Sequence, residues 1–163
     1  EPPIGVDLIS VNTAEEMLEA CLSLIDSYDL GVFTAAVADL RPKTQYDRKL
    51  KKGSDDKALS DIQLIENPDV LATIASKKKP KQYIVGFAAE TNDVLENAKH
   101  KLCSKNADLI VANEVGDGKA FGQDVDIVSF INKDEVIELP ELSKCEVAKR
   151  LLDHCLENFF ANS

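Results

Sequence analysis

The stretch Tyr83–Val115, YIVGFAAETNDVLENAKHKLCSKNADLIVANEV, reads as strand, tight turn, amphipathic helix and strand, a βαβ crossover of about 30 residues. Tyr83–Ala88 is a short apolar run of the kind buried on both faces of a parallel sheet. Gly86 has no Cβ, so another backbone or a ligand can approach closely there. Thr91 or Asn92 can cap the following helix through a side-chain oxygen. Val94, Ala98 and Leu102 recur four apart and, with Leu95, make its buried stripe. Asn97, Lys101 and Lys105 recur at the same interval on a different face. Asp108–Ala112 is the second strand, with Asn113 just past it. In open α/β sheets, ligands bind outside the carboxyl ends of strands. Phe87–Thr91 and Asn113 both stand at such ends, and the chemistry is expected there.

Working outward toward the N-terminus, Val6–Val11 reads as a short strand and Ala14–Ser27 as a helix, with Asn12 or Thr13 as its cap. Gly31–Ala38, GVFTAAVA, is an apolar strand rich in small residues that ends at Asp39. Arg41–Asp56 is strongly charged and holds the run Arg48-Lys49-Leu50-Lys51-Lys52; so long a connection inside a domain is often a functional loop or an arm. Ile62–Ile65 resumes a strand. Asn67-Pro68-Asp69 opens a helix, with Asn67 as cap and Pro68 at the first helical position. Beyond the central unit lies a loop, Glu114–Asp126, with Gly116, Gly118 and Gly122. Asp126–Ile131 and Glu135–Leu139 alternate apolar and polar residues, as an antiparallel hairpin does. Ser143 and Glu146 suit a capping box for a last helix, Lys144–Phe160. Strands alternate with helices throughout. The fold expected is α/β: a single-domain, Rossmann-like three-layer sandwich with a mainly parallel sheet and an antiparallel hairpin near the C-terminus.

The 163 residues carry 19 Lys and Arg against 29 Asp and Glu, a formal charge of −10. That argues against general nucleic-acid binding, which needs a basic surface. A small phosphorylated ligand, needing only a few well-placed cations, remains open. Cys21, Cys103, Cys145 and Cys155 form no CxxC pair and have no His at metal-ligand spacing, so they read as reduced thiols and no metal ligand is assigned. His100 and His154 lie within helices and read as surface residues. No apolar run reaches the ~18–20 residues of a membrane span, and a cytoplasmic location is expected.

Several side chains admit a plain reading. Asp39 suits a strand-ending turn, the 48–52 cluster a solvated charge run, Phe87 a core residue and Asn113 a turn residue. Lys101 and Lys105 lie late in their helix, where cations favour the negative end of its dipole. Asn67 and Pro68 are explained by capping, although the first-turn N–H groups they precede can also hold an anion.

Four segments, taken in order and spacing, resemble one family. They are Ala35-Ala36-Val37-Ala38-Asp39 with Arg41-Pro42; Lys49-Leu50-Lys51-Lys52; Asn67-Pro68-Asp69-Val70-Leu71; and Gly86-Phe87-Ala88-Ala89-Glu90-Thr91 continuing through Lys101, Lys105 and Asp108–Asn113. Ala120-Phe121-Gly122 and Leu139-Pro140 with Ser143-Lys144 also match. Together they resemble phosphopantothenoylcysteine synthetase, the ligase of coenzyme A biosynthesis. In many bacteria that enzyme is the C-terminal half of a bifunctional polypeptide whose N-terminal half is a flavin-dependent decarboxylase, so FMN would belong to that other half. The family opens with a strand, a Gly-rich turn and a helix that are not found ahead of Glu1, so the chain is expected to be the C-terminal part of the synthetase domain.

The resemblance implies a two-step ligation. The carboxylate of 4′-phosphopantothenate attacks the α-phosphorus of CTP, giving an acyl-cytidylate, and the amine of cysteine then displaces CMP. Mg²⁺ would accompany the nucleotide. The resemblance makes Lys49 the catalytic cation and brings Asp39, Lys49, Asn67, Pro68, Asp69, Val70, Phe87, Lys101 and Lys105 to the nucleotide. Ala35 and Ala36, whose small side chains leave room, and Asn113 would meet the substrate. It also implies a homodimer through the 41–56 arm. Two other readings stand beside it: a dinucleotide-binding oxidoreductase domain, for which no G-x-G-x-x-G follows a first strand here, and a catalytically incomplete nucleotide-binding or dimerisation fragment. ATP in place of CTP is a further variant.

Overall fold

The computed structural model describes residues 3–114 and 124–161. Its centre is β4 (Tyr83–Glu90), α4 (Val94–Lys105) and β5 (Leu109–Glu114), the βαβ unit expected from the sequence. β4 lies between β1 (Leu30–Phe33) and β5, parallel to both. β5 then pairs antiparallel with β7 (Val128–Ile131), and β7 with β8 (Val136–Glu138). The resulting five-stranded sheet runs β1-β4-β5-β7-β8.

The period-2 alternation of β4 places Val85 and Ile84 on opposite faces, and both are fully buried. On one face Val85, Leu109, Val111 and Phe130 pack against Val147, Leu151 and Cys155 of α5 (Lys144–Ala161). On the other, Ala88, Ile110 and Ile131 meet Ala98 and Leu102 of α4. Beside them Ile84 meets Val70, Ile74 and Ala75 of α3 (Val70–Lys77), with Met17 and Leu18 of α1 (Ala14–Ser23) packed alongside. Burial on both faces explains why the central strands read as continuous apolar runs. The architecture is a Rossmann-like α/β three-layer sandwich.

The remaining strands form two small ribbons. β2 (Leu40–Pro42) pairs antiparallel with β3 (Leu64–Glu66), and β6 (Val125–Asp126) with β9 (Leu142–Ser143). The charged connection between β2 and β3 carries a short helix, α2 (Asp56–Ser60).

Several local expectations are corrected. Val6–Val11 forms no strand: it has no ladder partner, and Val6, Leu8 and Ile9 are exposed. The strand expected over Gly31–Ala38 leaves the sheet after Phe33, where the chain turns and Val37 N–H donates to Ala35 O at 3.0 Å. The strand expected at Ile62–Ile65 begins at Leu64 and pairs with β2, outside the main sheet. α1 ends at Ser23, and Thr13 caps it in a full capping box with Glu16. The cap of α3 is Asp69, whose side chain accepts from Ala72 N–H, while Asn67 makes longer-range bonds. At α4 the cap is Asp93 in the left-handed region at φ 48°, and neither Thr91 nor Asn92. Leu95 is exposed, so the buried stripe is Val94, Ala98 and Leu102. The close approach expected at Gly86 is made by side chains, Leu71 of α3 and Ile110 of β5. His154 is buried, with its ring 5.7 Å from that of Phe130. The expected Gly-rich loop and Ala120-Phe121-Gly122 lie outside the described residues.

Candidate functional site

A cleft of about 570 Å³ opens at the carboxyl ends of β1 and β4, where the sheet rule places ligands. One wall is the chain that leaves β1, from Ala35 through Asp39; another is the junction of β3 and α3, from Glu66 to Leu71. Phe87 of β4 also lines the cleft, and from α4 come Lys101 and Lys105. Four residues apart, these lysines share one helix face, away from the buried Ala98 and Leu102.

Both lysines are already engaged. Lys101 Nζ lies 3.5 Å from Glu90 at the end of β4, and Lys105 Nζ is ion-paired with Asp69. Glu90 also accepts from Asn97 Nδ2 at 3.3 Å, so Asn97, Lys101 and the strand end form one linked row. For Asp69, burial pushes the carboxyl up. The hydrogen bonds from Lys105 and Ala72 N–H, with the charges of Lys105 and Lys101, outweigh it and hold the group below the usual carboxylate range. Because Asp69 satisfies Ala72 N–H, the start of α3 carries a carboxylate of its own in the free protein.

Asn67 joins the two walls. Its Nδ2 donates to Ala38 O at 2.7 Å and its backbone N–H to Asp39 O at 2.8 Å. This explains why Asn67 is not the helix cap: its side chain is used to hold the opposite rim. Pro68, Val70 and Ala35 line the same cleft. A second hollow of about 430 Å³ shares Ala35, Ala38 and Asn67 with the cleft and adds Ala36 and Arg41.

Of the residues assigned from sequence, the cleft therefore gathers Ala35, Asp39, Asn67, Pro68, Asp69, Val70, Phe87, Lys101 and Lys105. Ala36 faces the adjoining hollow. Lys49 sits exposed in the β2–β3 connection and lines neither space. Its neighbour Arg48 is held by Asp55 through bonds of 2.7 and 2.9 Å, which raise the Arg48 pKa and pull the Asp55 carboxyl far down. Asn113 is within β5, paired with Ala89 and Val128, and its Nδ2 donates to Asp126 at 3.4 Å. It is outside the cleft. Met17 and Glu66 line the cleft without having been singled out, and Leu71 does so without having been assigned to a ligand. Their apolar or strand-end positions look like any others in sequence.

The four cysteines carry free thiols; burial pushes the Cys155 thiol up to about 11. Among the described residues no helix is long and apolar enough to cross a membrane.

The sequence matches the family model described as DNA/pantothenate metabolism flavoprotein C-terminal domain over residues 1–159. The coenzyme A biosynthesis bifunctional protein CoaBC of Bacillus subtilis is 45% identical over 155 residues, covering 93% of this chain and 37% of that protein. A protein of an unknown prokaryotic organism named cysteine/cysteine sulfinic acid decarboxylase is 38% identical over 149 residues, covering 90% of this chain and 41% of that protein. The chain thus spans well under half the length of these relatives. Among solved structures, the C-terminal domain of a coenzyme A biosynthesis bifunctional protein CoaBC superposes with a TM-score of 0.78 at 38% identity, covering 100% of this chain and 70% of that one. A match over almost the whole sequence, on the fold and at the identities just given, makes this chain a member of the DNA/pantothenate metabolism flavoprotein C-terminal domain family.

Proposed function

We propose that this chain is the nucleotide-binding part of a CTP-dependent phosphopantothenate–cysteine ligase in coenzyme A biosynthesis. The observation that carries the reading is the meeting of Lys101 and Lys105 with Asp39, the Asn67–Val70 turn and Phe87 in one cleft at the sheet's carboxyl edge. The two ammonium groups suit a polyphosphate. Asp39 and the polar groups of 67–70 suit a nucleoside, and the Phe87 ring gives a face for stacking. The names of the CoaBC relatives support the same reading.

A carboxylate is a poor electrophile, and transfer of a nucleotidyl group gives it a good leaving group. In the first step, a 4′-phosphopantothenate oxygen bonds to the α-phosphorus of CTP and pyrophosphate leaves. In the second, the cysteine amine attacks the acyl carbon, loses a proton and expels CMP. Lys101 and Lys105 would hold the phosphates in place and offset their charge. The hollow beside Ala35 and Ala36 leaves space for the acid. Among the described residues no three His, Cys, Asp or Glu side chains converge as metal ligands. Mg²⁺ would enter with the nucleotide, bound to its phosphate oxygens.

The β2–β3 ribbon suits a homodimer contact. Leu40, Pro42 and Leu64 share one face by register, Leu40, Ile62 and Leu64 are exposed, and Leu40 also lines the cleft, so a contact there would adjoin the site. Pairing there would place Lys49 beside a second copy. The enzyme would act in the cytoplasm, where its small-molecule substrates occur.

The deciding experiment is calorimetric titration with CTP, ATP and NADP⁺, each with Mg²⁺, on the chain and on its Lys49→Ala and Lys105→Ala variants. CTP binding that weakens in Lys105→Ala is the expected result. Preference for NADP⁺ would overturn the ligase reading. The decarboxylase name of one relative favours a second reading, in which the domain serves a decarboxylase; absence of any nucleotide binding would favour it.

A further inference from the structure

Arg41 belongs to the Ala35–Pro42 segment but lines only the second hollow, outside the nucleotide cleft. Its guanidinium nevertheless touches three elements. Nη1 donates to Glu66 O at 2.6 Å and to Asn67 Oδ1 at 3.2 Å, and Nη2 is ion-paired with Glu15 in the first turn of α1. The group is half-buried.

The chemistry of these contacts fixes a direction. Arg has donors and no acceptor, so Asn67 must turn its carbonyl oxygen toward it. The Asn67 NH₂ then points the other way, to Ala38 O at 2.7 Å. A flipped amide would set NH₂ against guanidinium and carbonyl against carbonyl. Ala38 and Asp39 are cleft-lining residues, and Asn67 N–H holds Asp39 O as well. Arg41 is also the central residue of β2, where it pairs with Ile65, so the same side chain ties the ribbon to α1.

We propose that Arg41 is a positioning residue. It sets the orientation of the Asn67 amide and, through it, the Ala38–Asp39 rim of the cleft, coupling that rim to the seat of the β2–β3 ribbon. The inference rests on the nucleotide reading of the cleft for its effect on binding, and on geometry alone for the rim.

The test compares the full chain with Arg41→Lys and with the double variant Glu15→Arg/Arg41→Glu. Amide exchange by NMR reads the rim without ligand, and CTP titration reads the site. Lys cannot reproduce the planar fork. In Arg41→Lys we expect exchange to quicken about tenfold at Asn67 N–H, bonded to Asp39 O, and at Lys43 N–H, bonded across the ribbon to Gln63 O at 2.8 Å, with β4 and β5 unchanged. CTP should bind about tenfold more weakly, because small misplacements of a binding group are costly. The double variant restores an ion pair but cannot donate to Asn67 Oδ1, so it should stay impaired in both readouts. Unchanged Asn67 exchange in Arg41→Lys, or full recovery in the double variant, would overturn the proposal. Quickened exchange with unaltered CTP affinity would overturn the coupling to the site. If the parent chain binds no CTP, the ligase reading falls, and Asn67 exchange alone judges the role of Arg41 at the rim.

Discussion

Lys105 and Asp69 form an ion pair between α4 and the start of α3, and the second Asp69 oxygen accepts from Ala72 N–H at 2.9 Å. One carboxylate thus neutralises a cleft cation and caps a helix. In the free protein it stands where an anionic ligand would compete for the same lysine.

Lys105→Ala should weaken CTP binding by about 2 kcal/mol, the scale of a hydrogen bond to a charged group. The pair is partly exposed, so the loss of fold stability should stay below about 1 kcal/mol. Asp69→Asn keeps an oxygen for the cap and releases Lys105, so polyphosphate binding should tighten. Titration at two salt concentrations checks both, and equal affinity in all three proteins would remove Lys105 from the site.

The same carboxylate gives a pH dependence. Asp69 is held below its ordinary range, so the unfolded state binds its proton first as pH falls. Its contribution is fully present above the usual carboxylate range and disappears as pH drops through the folded value. The melting-temperature gap between the parent and Asp69→Asn should therefore be widest near neutrality and close in acid. A gap that widens in acid would reverse the assignment.

Gly86 offers a packing test. A Cβ there would stand 2.5 Å from Leu71 Cδ2 and 3.0 Å from Ile110 Cδ1. Leu71 ends a flexible side chain, so Gly86→Ala should cost about 1–3 kcal/mol by overpacking and still fold. Leu71 lines the cleft, so its displacement should also weaken CTP binding. Leu71→Ala added to Gly86→Ala should recover part of the packing loss in urea melts, and strict additivity would refute the contact.

Asp108 extends the strand ladder with its side chain. Its Oδ2 accepts from Ile84 N–H at 2.7 Å, Oδ1 meets Lys78 Nζ at 2.5 Å, and Asp108 N–H donates to Ile84 O at 2.8 Å. Asp108→Ala leaves the N–H of fully buried Ile84 without an acceptor and should cost about 1–3 kcal/mol. Asp108→Asn, which keeps an acceptor, should cost less. Urea unfolding orders the two, and the reverse order would show that charge matters more than the missing acceptor.

The parts of the fold legible in the sequence were those fixed by local periodicity. β4, α4 and β5 follow from one apolar run, one four-residue stripe and a second run, and lie within a residue or two of their expected bounds. The hairpin of β7 and β8 followed from alternation. What failed depended on distant partners. Val6–Val11 has strand composition, but a strand exists only beside another. Asn67 has cap chemistry, yet Ala38 and Arg41, far away in sequence, claim its side chain. His154 is polar by type and buried by the turn of α5 against Phe130. The site was legible where helix spacing put Lys101 and Lys105 on one face. It was not legible for Arg41, whose meaning lies in three contacts that no spacing announces.

Among the described residues β1 has a ladder partner on one side only, β4. Natural edge strands are usually blunted by Lys, Pro or a bulge; Leu30-Gly31-Val32-Phe33 has no Lys or Pro, and Val32 is exposed. Ile4, Val6, Leu8 and Ile9 add further exposed apolar surface near the N-terminus. The β1 edge and residues 4–9 therefore offer apolar surface for self-association, and of these residues only Phe33 lines the cleft. Light scattering should rise steeply with protein concentration, and Val32→Lys should flatten that rise while leaving CTP affinity intact. Solubility and ligand binding would then be separable properties of this domain, each open to adjustment without the other.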